Sequence, residues 1–80
     1  VNVWPNPTSG AINITVSELQ GRVSVDVMDV TGRLVKAINA DASSQQGGIL
    51  AMDLSGLAMG EYTMVVRHDA GVSTFHIVLH

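Results

Sequence analysis

The chain has 80 residues, 46% hydrophobic and only 14% charged, which excludes a disordered tail and leaves room for one small domain. Its formal net charge is −3, and its four basic residues, Arg22, Arg33, Lys36 and Arg67, are scattered, so no basic stripe supports nucleic-acid binding. The absence of cysteine excludes disulfides, thiol catalysis and thiolate metal sites, and no apolar run reaches the roughly 20 residues of a membrane helix.

The first element expected in chain order is a short strand ending at Val3-Trp4. It is stopped by Pro5-Asn6-Pro7-Thr8-Ser9-Gly10. Each proline fixes its own φ, lacks an N–H donor and biases the residue before it, Trp4 or Asn6, toward extended backbone. Asn6-Pro7 suits positions i and i+1 of a type I turn, with Gly10 free to take φ > 0 beyond it. Ile12, Ile14 and Val16 then alternate with Asn13 and Thr15, and Val23, Val25 and Val27 alternate with Ser24 and Asp26. This is the period of half-buried antiparallel strands. Asp29-Val30-Thr31-Gly32 places Asp at i and Gly at i+3 of a type I turn, Gly32 supplying a bulge that closes a hairpin before Arg33.

Leu34–Ala40 is the next strand. Asp41–Gly48 is a polar stretch of Ser, Gln and Gly, expected to be the longest loop and the most mobile segment. Ile49–Asp53 is another strand, and Leu54–Met59 is expected as a single 3₁₀ turn whose Leu54 and Leu57 plug one end of the core. Gly60 lets the chain reverse. Tyr62 opens the Glu61–Arg67 strand as a tyrosine corner, its hydroxyl bonded to upstream backbone. Asp69-Ala70-Gly71 joins that strand to Val72–Leu79 as a hairpin. The reading is all-β: an antiparallel β-sandwich of about seven strands in two packed sheets, forming one domain, residues 1–80.

Residues capable of site chemistry are few. His68 and His76 flank the last turn and could approach each other, but no third ligand is fixed by spacing, and His80 is terminal. No G-x-S-x-G elbow presents a serine, and Gly47-Gly48 leads into no helix that could cradle a phosphate. Asp26 and Asp29 fall on opposite sides of a continuous strand, which separates them as a carboxylate pair. Asn13-Ile14-Thr15 matches a glycosylation sequon but sits within a strand. Met28, Met52, Met59 and Met64 read as core filler, and Trp4 as packing against the sandwich edge rather than as a sugar platform. No metal, cofactor or catalytic group is assigned.

Three blocks of this series resemble a known family. Val3-Trp4-Pro5-Asn6-Pro7-Thr8-Ser9-Gly10 resembles the "hydrophobic-Tyr-Pro-Asn-Pro-x-x-Gly" opening of the type IX (Por) secretion system C-terminal sorting domain, type A. Val27–Val35, with Asp29, Gly32 and Arg33, is similar to its Gly-Arg block. Met52–Tyr62, with Leu54, Leu57, Gly60 and Tyr62, is similar to its "Leu…Gly-x-Tyr" block. Ser73–His80 takes the place of the closing block. Trp4 stands for the usual Tyr, Met28 for a common aromatic, and the closing strand carries Phe75, His76 and His80 where lysines are usual.

The resemblance implies that this sandwich is an immunoglobulin-like, all-β antiparallel β-sandwich of about seven strands, serving as a non-catalytic label at the C-terminus of a longer secreted protein of Bacteroidetes type. The type IX translocon would recognise the label and carry the N-terminal cargo from the periplasm across the outer membrane, to the cell surface or the medium. In many members a sortase-like peptidase then removes the domain. The motif residues Pro5, Asn6, Pro7, Gly10, Asp29, Gly32, Arg33, Leu54, Leu57, Gly60 and Tyr62 become the candidate recognition site. Arg33 would be either a directional charged contact or a surface ion pair. The last hairpin would offer a free edge for strand addition or a homodimer. The alternative is an accessory sandwich of fibronectin III type, a spacer or carbohydrate binder. A chain opening on Val1, without an initiator Met, reads as a module cut from a larger protein.

Overall fold

Alternation along most of the strands turns one set of side chains inward, broken in the strand Leu34–Asp41 by a register shift, where the partners of Arg22–Asp29 step from Lys36 to Leu34. The structure, a computed structural model, describes residues 2–16, 21–42 and 46–80. Its strands are β1 (Val3–Trp4), β2 (Ala11–Thr15), β3 (Arg22–Asp29), β4 (Leu34–Asp41), β5 (Ile49–Asp53), β6 (Gly60–His68) and β7 (Gly71–Leu79). They form two sheets, ordered β1-β2-β5 and β4-β3-β6-β7. Neighbouring strands within each sheet pair antiparallel. With β1, β2, β3, β5, β6 and β7 in the places of immunoglobulin strands A, B, C, E, F and G, β2 lies between A and E, and β6 lies between C and G. β4 extends the sheet beside C. The expected all-β, immunoglobulin-like sandwich of seven strands is therefore the fold.

The core sits between the inner faces. Ile12 and Ile14 from the first sheet, with Val16 just beyond β2, meet Val23, Val25, Val27, Met64, Val66, Ile77 and Leu79 from the second, all buried. Burying each of the larger aliphatic side chains contributes about 1.5–3 kcal/mol, which is how a chain this short holds two sheets together. Met52 and Met64 fill this core as expected, whereas Met59 is 79% exposed because it precedes β6 in the connector and belongs to no inward face. Trp4, on the outer face of β1, is 39% exposed, so the edge covers only part of its ring.

Connections differ from expectation in three places. Leu54–Met59 contains no 3₁₀ helix: a lone bond from the Leu57 N–H to the Leu54 carbonyl makes a turn. Gln46–Gly48, before β5, is a tight turn in which Gly47 and Gly48 have φ +70°, left-handed backbone that glycine favours. β4 runs on to Asp41, opposite Arg22, which shortens the expected loop; residues 43–45 of that loop lie outside the described residues. The type I turn expected at Asn6-Pro7 is absent. Both Trp4-Pro5 and Asn6-Pro7 are cis, and the segment is held by bonds to β7 rather than by a turn of its own.

Candidate functional site

In a sandwich of antiparallel strands, every second connection falls at the same end. Here that parity gathers the ends of β1, β3, β5 and β7 with the starts of β2, β4 and β6 at one pole. The motif residues lie in those connections. Blocks centred some 25 residues apart in sequence therefore meet in space.

Pro5–Gly10 crosses from β1 in one sheet to the edge of β7 in the other. Thr8 makes an isolated parallel bridge with Leu79: its N–H donates to the Val78 carbonyl and its carbonyl accepts from the His80 N–H, both at 2.9 Å. Asn6 reaches the same edge with its side chain, Nδ2 donating to the His76 carbonyl at 2.7 Å and Oδ1 accepting from the Val78 N–H at 3.0 Å. Thr8 is 2% exposed, and its hydroxyl is bonded on both its donor and its acceptor side. It donates to the Ala11 carbonyl and accepts from the Gly10 N–H, folding the chain into β2. Thr8 was not among the candidates read from the sequence. The cue available was a hydroxyl two residues before a glycine at a strand entrance.

Gly10 ties the first block to the third. Its carbonyl accepts from the Leu54 N–H at 2.8 Å. A Cβ on Gly10 would lie 3.1 Å from the Cβ of Ser55, and its φ of +156° disfavours an L side chain as well. Leu54 is fully buried, Leu57 packs against the core, and Asp53 Oδ1 accepts from the Ser55 N–H at 2.9 Å. That bond is the main reason the Asp53 carboxyl titrates below its ordinary value, helped by the Ser55 hydroxyl and the Lys36 charge. The tyrosine corner is present: Tyr62 is buried and its hydroxyl donates to the Ala58 carbonyl. Gly60 opens β6 opposite Leu79.

The second block is organised by one carboxylate. Asp29 Oδ1 accepts from the Thr31 N–H at 3.0 Å, the Thr31 hydroxyl at 2.6 Å and the Arg33 N–H at 3.1 Å. The Gly32 N–H donates to the Asp29 carbonyl, closing the expected turn, and the Asp29 N–H donates to the Arg33 carbonyl. Gly32 has φ +87°, the left-handed geometry the bulge requires, with open space around it. The Thr31 hydroxyl, above all, holds the Asp29 carboxyl below its ordinary value against some desolvation; the N–H groups of Arg33 and Thr31 and the Arg33 charge add to this. Arg33 Nε lies 3.3 Å from Asp29 Oδ2, yet 78% of the Arg33 side chain is exposed.

The remaining ionisable groups lie elsewhere. His68 stands opposite Gly71 and His76 opposite Thr63, so the two are far apart along the hairpin and do not form the pair that their spacing about the turn allowed. His68 Nε2 is 3.2 Å from Ser73 Oγ, and His76 Nε2 is 3.0 Å from Glu61 Oε1. Among the described residues no three His, Asp or Glu side chains gather to hold a metal ion. Asp26 pairs with Arg67 on the outer face, and Asp29 has the strand parity of Val25 and Val27. A shallow depression at the opposite pole is lined by Gly21, Arg22, Ser24, Arg67, His68 and Asp69, none of them a motif residue.

No curated protein and no solved structure matches the chain. One protein family does, the secretion system C-terminal sorting domain, over residues 2–80. Because that match takes in every element of the sandwich and all three motif blocks at its pole, the chain belongs to the family of C-terminal sorting domains, the signals of type IX secretion.

Proposed function

We propose that the pole bearing Pro5–Gly10, Asp29–Arg33 and Leu54–Tyr62 is what the type IX machinery reads, and that the domain performs no catalysis. The observation carrying this reading is the convergence of the three blocks on one end of a rigid sandwich. Each is pinned by side-chain bonds to backbone: Asn6 and Thr8, Asp29, and Tyr62. In this reading residues 1–80 are the single C-terminal domain of a larger secreted protein. β1 is entered at Asn2, whose carbonyl accepts from the Thr15 N–H at the far end of β2, so cargo attached there stands away from the motif pole.

Arg33 is the charged contact offered to the partner, since its guanidinium projects into solvent beyond Asp29. The cargo crosses the outer membrane through the translocon, and a sortase-like peptidase is the partner that would remove the domain afterwards. An edge-strand homodimer also belongs to this reading. It is limited to Gly71–Phe75, because Asn6 and Thr8 occupy the rest of the β7 edge. Sedimentation over a concentration series checks it, and a monomer throughout overturns it.

The test of the whole reading is transplantation. Residues 1–80 are fused behind a signal peptide and a fluorescent reporter, in a host carrying the translocon. The expected outcome is reporter at the surface or in the medium. Reporter retained in the periplasm while a native cargo is exported would return the chain to the spacer reading.

A further inference from the structure

The hydrogen bonds of Asn6 repeat those of Thr8 one step upstream. Thr8 meets β7 as a parallel strand does, donating to the carbonyl of residue 78 and accepting from the N–H of residue 80. The Asn6 carboxamide donates to the carbonyl of residue 76 and accepts from the N–H of residue 78. A backbone residue in this register would make the same pair of bonds. The residue in that register is Asn6 itself, held between Pro5 and Pro7, and it makes the pair with its side chain instead of its backbone. A primary carboxamide supplies both a donor and an acceptor on one short arm. Aspartate would supply acceptors only, and alanine neither.

The consequence falls on the last strand. In an antiparallel ladder the N–H and C=O of a residue point to the same side, so residues 72, 74, 76, 78 and 80 face the outer edge of β7. From the His76 carbonyl to the His80 N–H, every one of these groups is bonded to Asn6 or Thr8. An edge left open is a template for pairing with another chain, and proteins ordinarily block it with charge, proline or a covering segment. Here the covering segment is the Pro-Asn-Pro motif itself.

We infer that Asn6 is a positioning residue: its carboxamide stands in for its own backbone groups, caps the C-terminal half of the β7 edge and fixes the terminal strand in place, so that Pro-Asn-Pro serves the signal through Ile77–His80. That the cap matters for export rests on the sorting function proposed above. The cap itself can be measured independently of export.

Amide exchange in the 80-residue chain is read at Val78, which bonds to Asn6, and at Val66, a buried residue of β6 that does not contact the cap. Asn6→Ala removes both bonds, and Val78 exchange is expected to rise at least about fivefold while Val66 is unchanged. Asn6→Asp keeps the acceptor and should fall between the two. Reporter export from the fusion is then expected to follow the same order, Asn6 above Asp above Ala. Lost export with Val78 still protected would make Asn6 a direct contact and overturn the inference. So would lost protection with export unchanged. A wild-type fusion that is not exported, with Val78 responding as expected, leaves the cap standing and overturns the sorting reading instead.

Discussion

Asp29 shows how much one residue can organise. Three donors converge on its carboxylate, and the charge of Arg33 lies beside it. Its pKa is lowered in the folded chain, so its contribution to stability is present above the ordinary carboxylate value of about 3.9 and is lost as pH falls through the folded value. Asp29→Ala should therefore lower the thermal midpoint at neutral pH. The gap between variant and wild type should close as the buffer is taken below the carboxylate range. A gap that stays constant down to strongly acidic buffer would show that the hairpin is held by backbone geometry alone. Asp-x-x-Gly was legible as a turn from residue types. The third bond, to the Arg33 N–H, was not, because it depends on how far the carboxylate swings over the closed turn.

At the scale of elements, the connector between β5 and β6 illustrates the limits of local pattern. Its sequence suggested a 3₁₀ turn, yet it folds around its contacts: Leu54 is pulled into the core, its N–H pairs with Gly10, and Tyr62 bonds back to Ala58. Tertiary partners outbid local propensity over so short a segment. The tyrosine corner was legible because a glycine, one residue and a tyrosine at a strand start form a recurring arrangement. Tyr62→Phe keeps the buried ring and removes only the hydroxyl, leaving the Ala58 carbonyl without this donor. Equilibrium unfolding should show a loss of about 1 kcal/mol. A loss near zero would mean that water replaces the hydroxyl at no cost.

At the scale of the molecule, one core serves both sheets, because the inward faces of β2, β3, β6 and β7 share it. Ile14 belongs to the three-stranded sheet and Ile77 to the four-stranded one; both are fully buried. Ile14→Ala and Ile77→Ala should each cost about 2–5 kcal/mol. Each should shift a single transition, seen alike by far-ultraviolet circular dichroism and by Trp4 fluorescence. Two separated transitions would show that the sheets melt independently. A small domain has only about 5–15 kcal/mol to lose, so either variant also tests how near the threshold the fold stands.

The strands, their inward faces, the Gly32 bulge and the Tyr62 corner follow from the sequence itself, since period-2 alternation and turn chemistry act between residues a few positions apart. The meeting of the three motif blocks at one pole, the separation of His68 from His76 and the cap on the β7 edge depended on tertiary structure. The first and the last join residues distant along the chain, as Asn6 bonds to His76 and Val78 across 70 and 72 positions, and the second follows from the register of the β6–β7 pair. Which strands share a sheet, and in what register, is settled by the packing of the common core, and a side chain that both donates and accepts finds its partners only after that packing is complete.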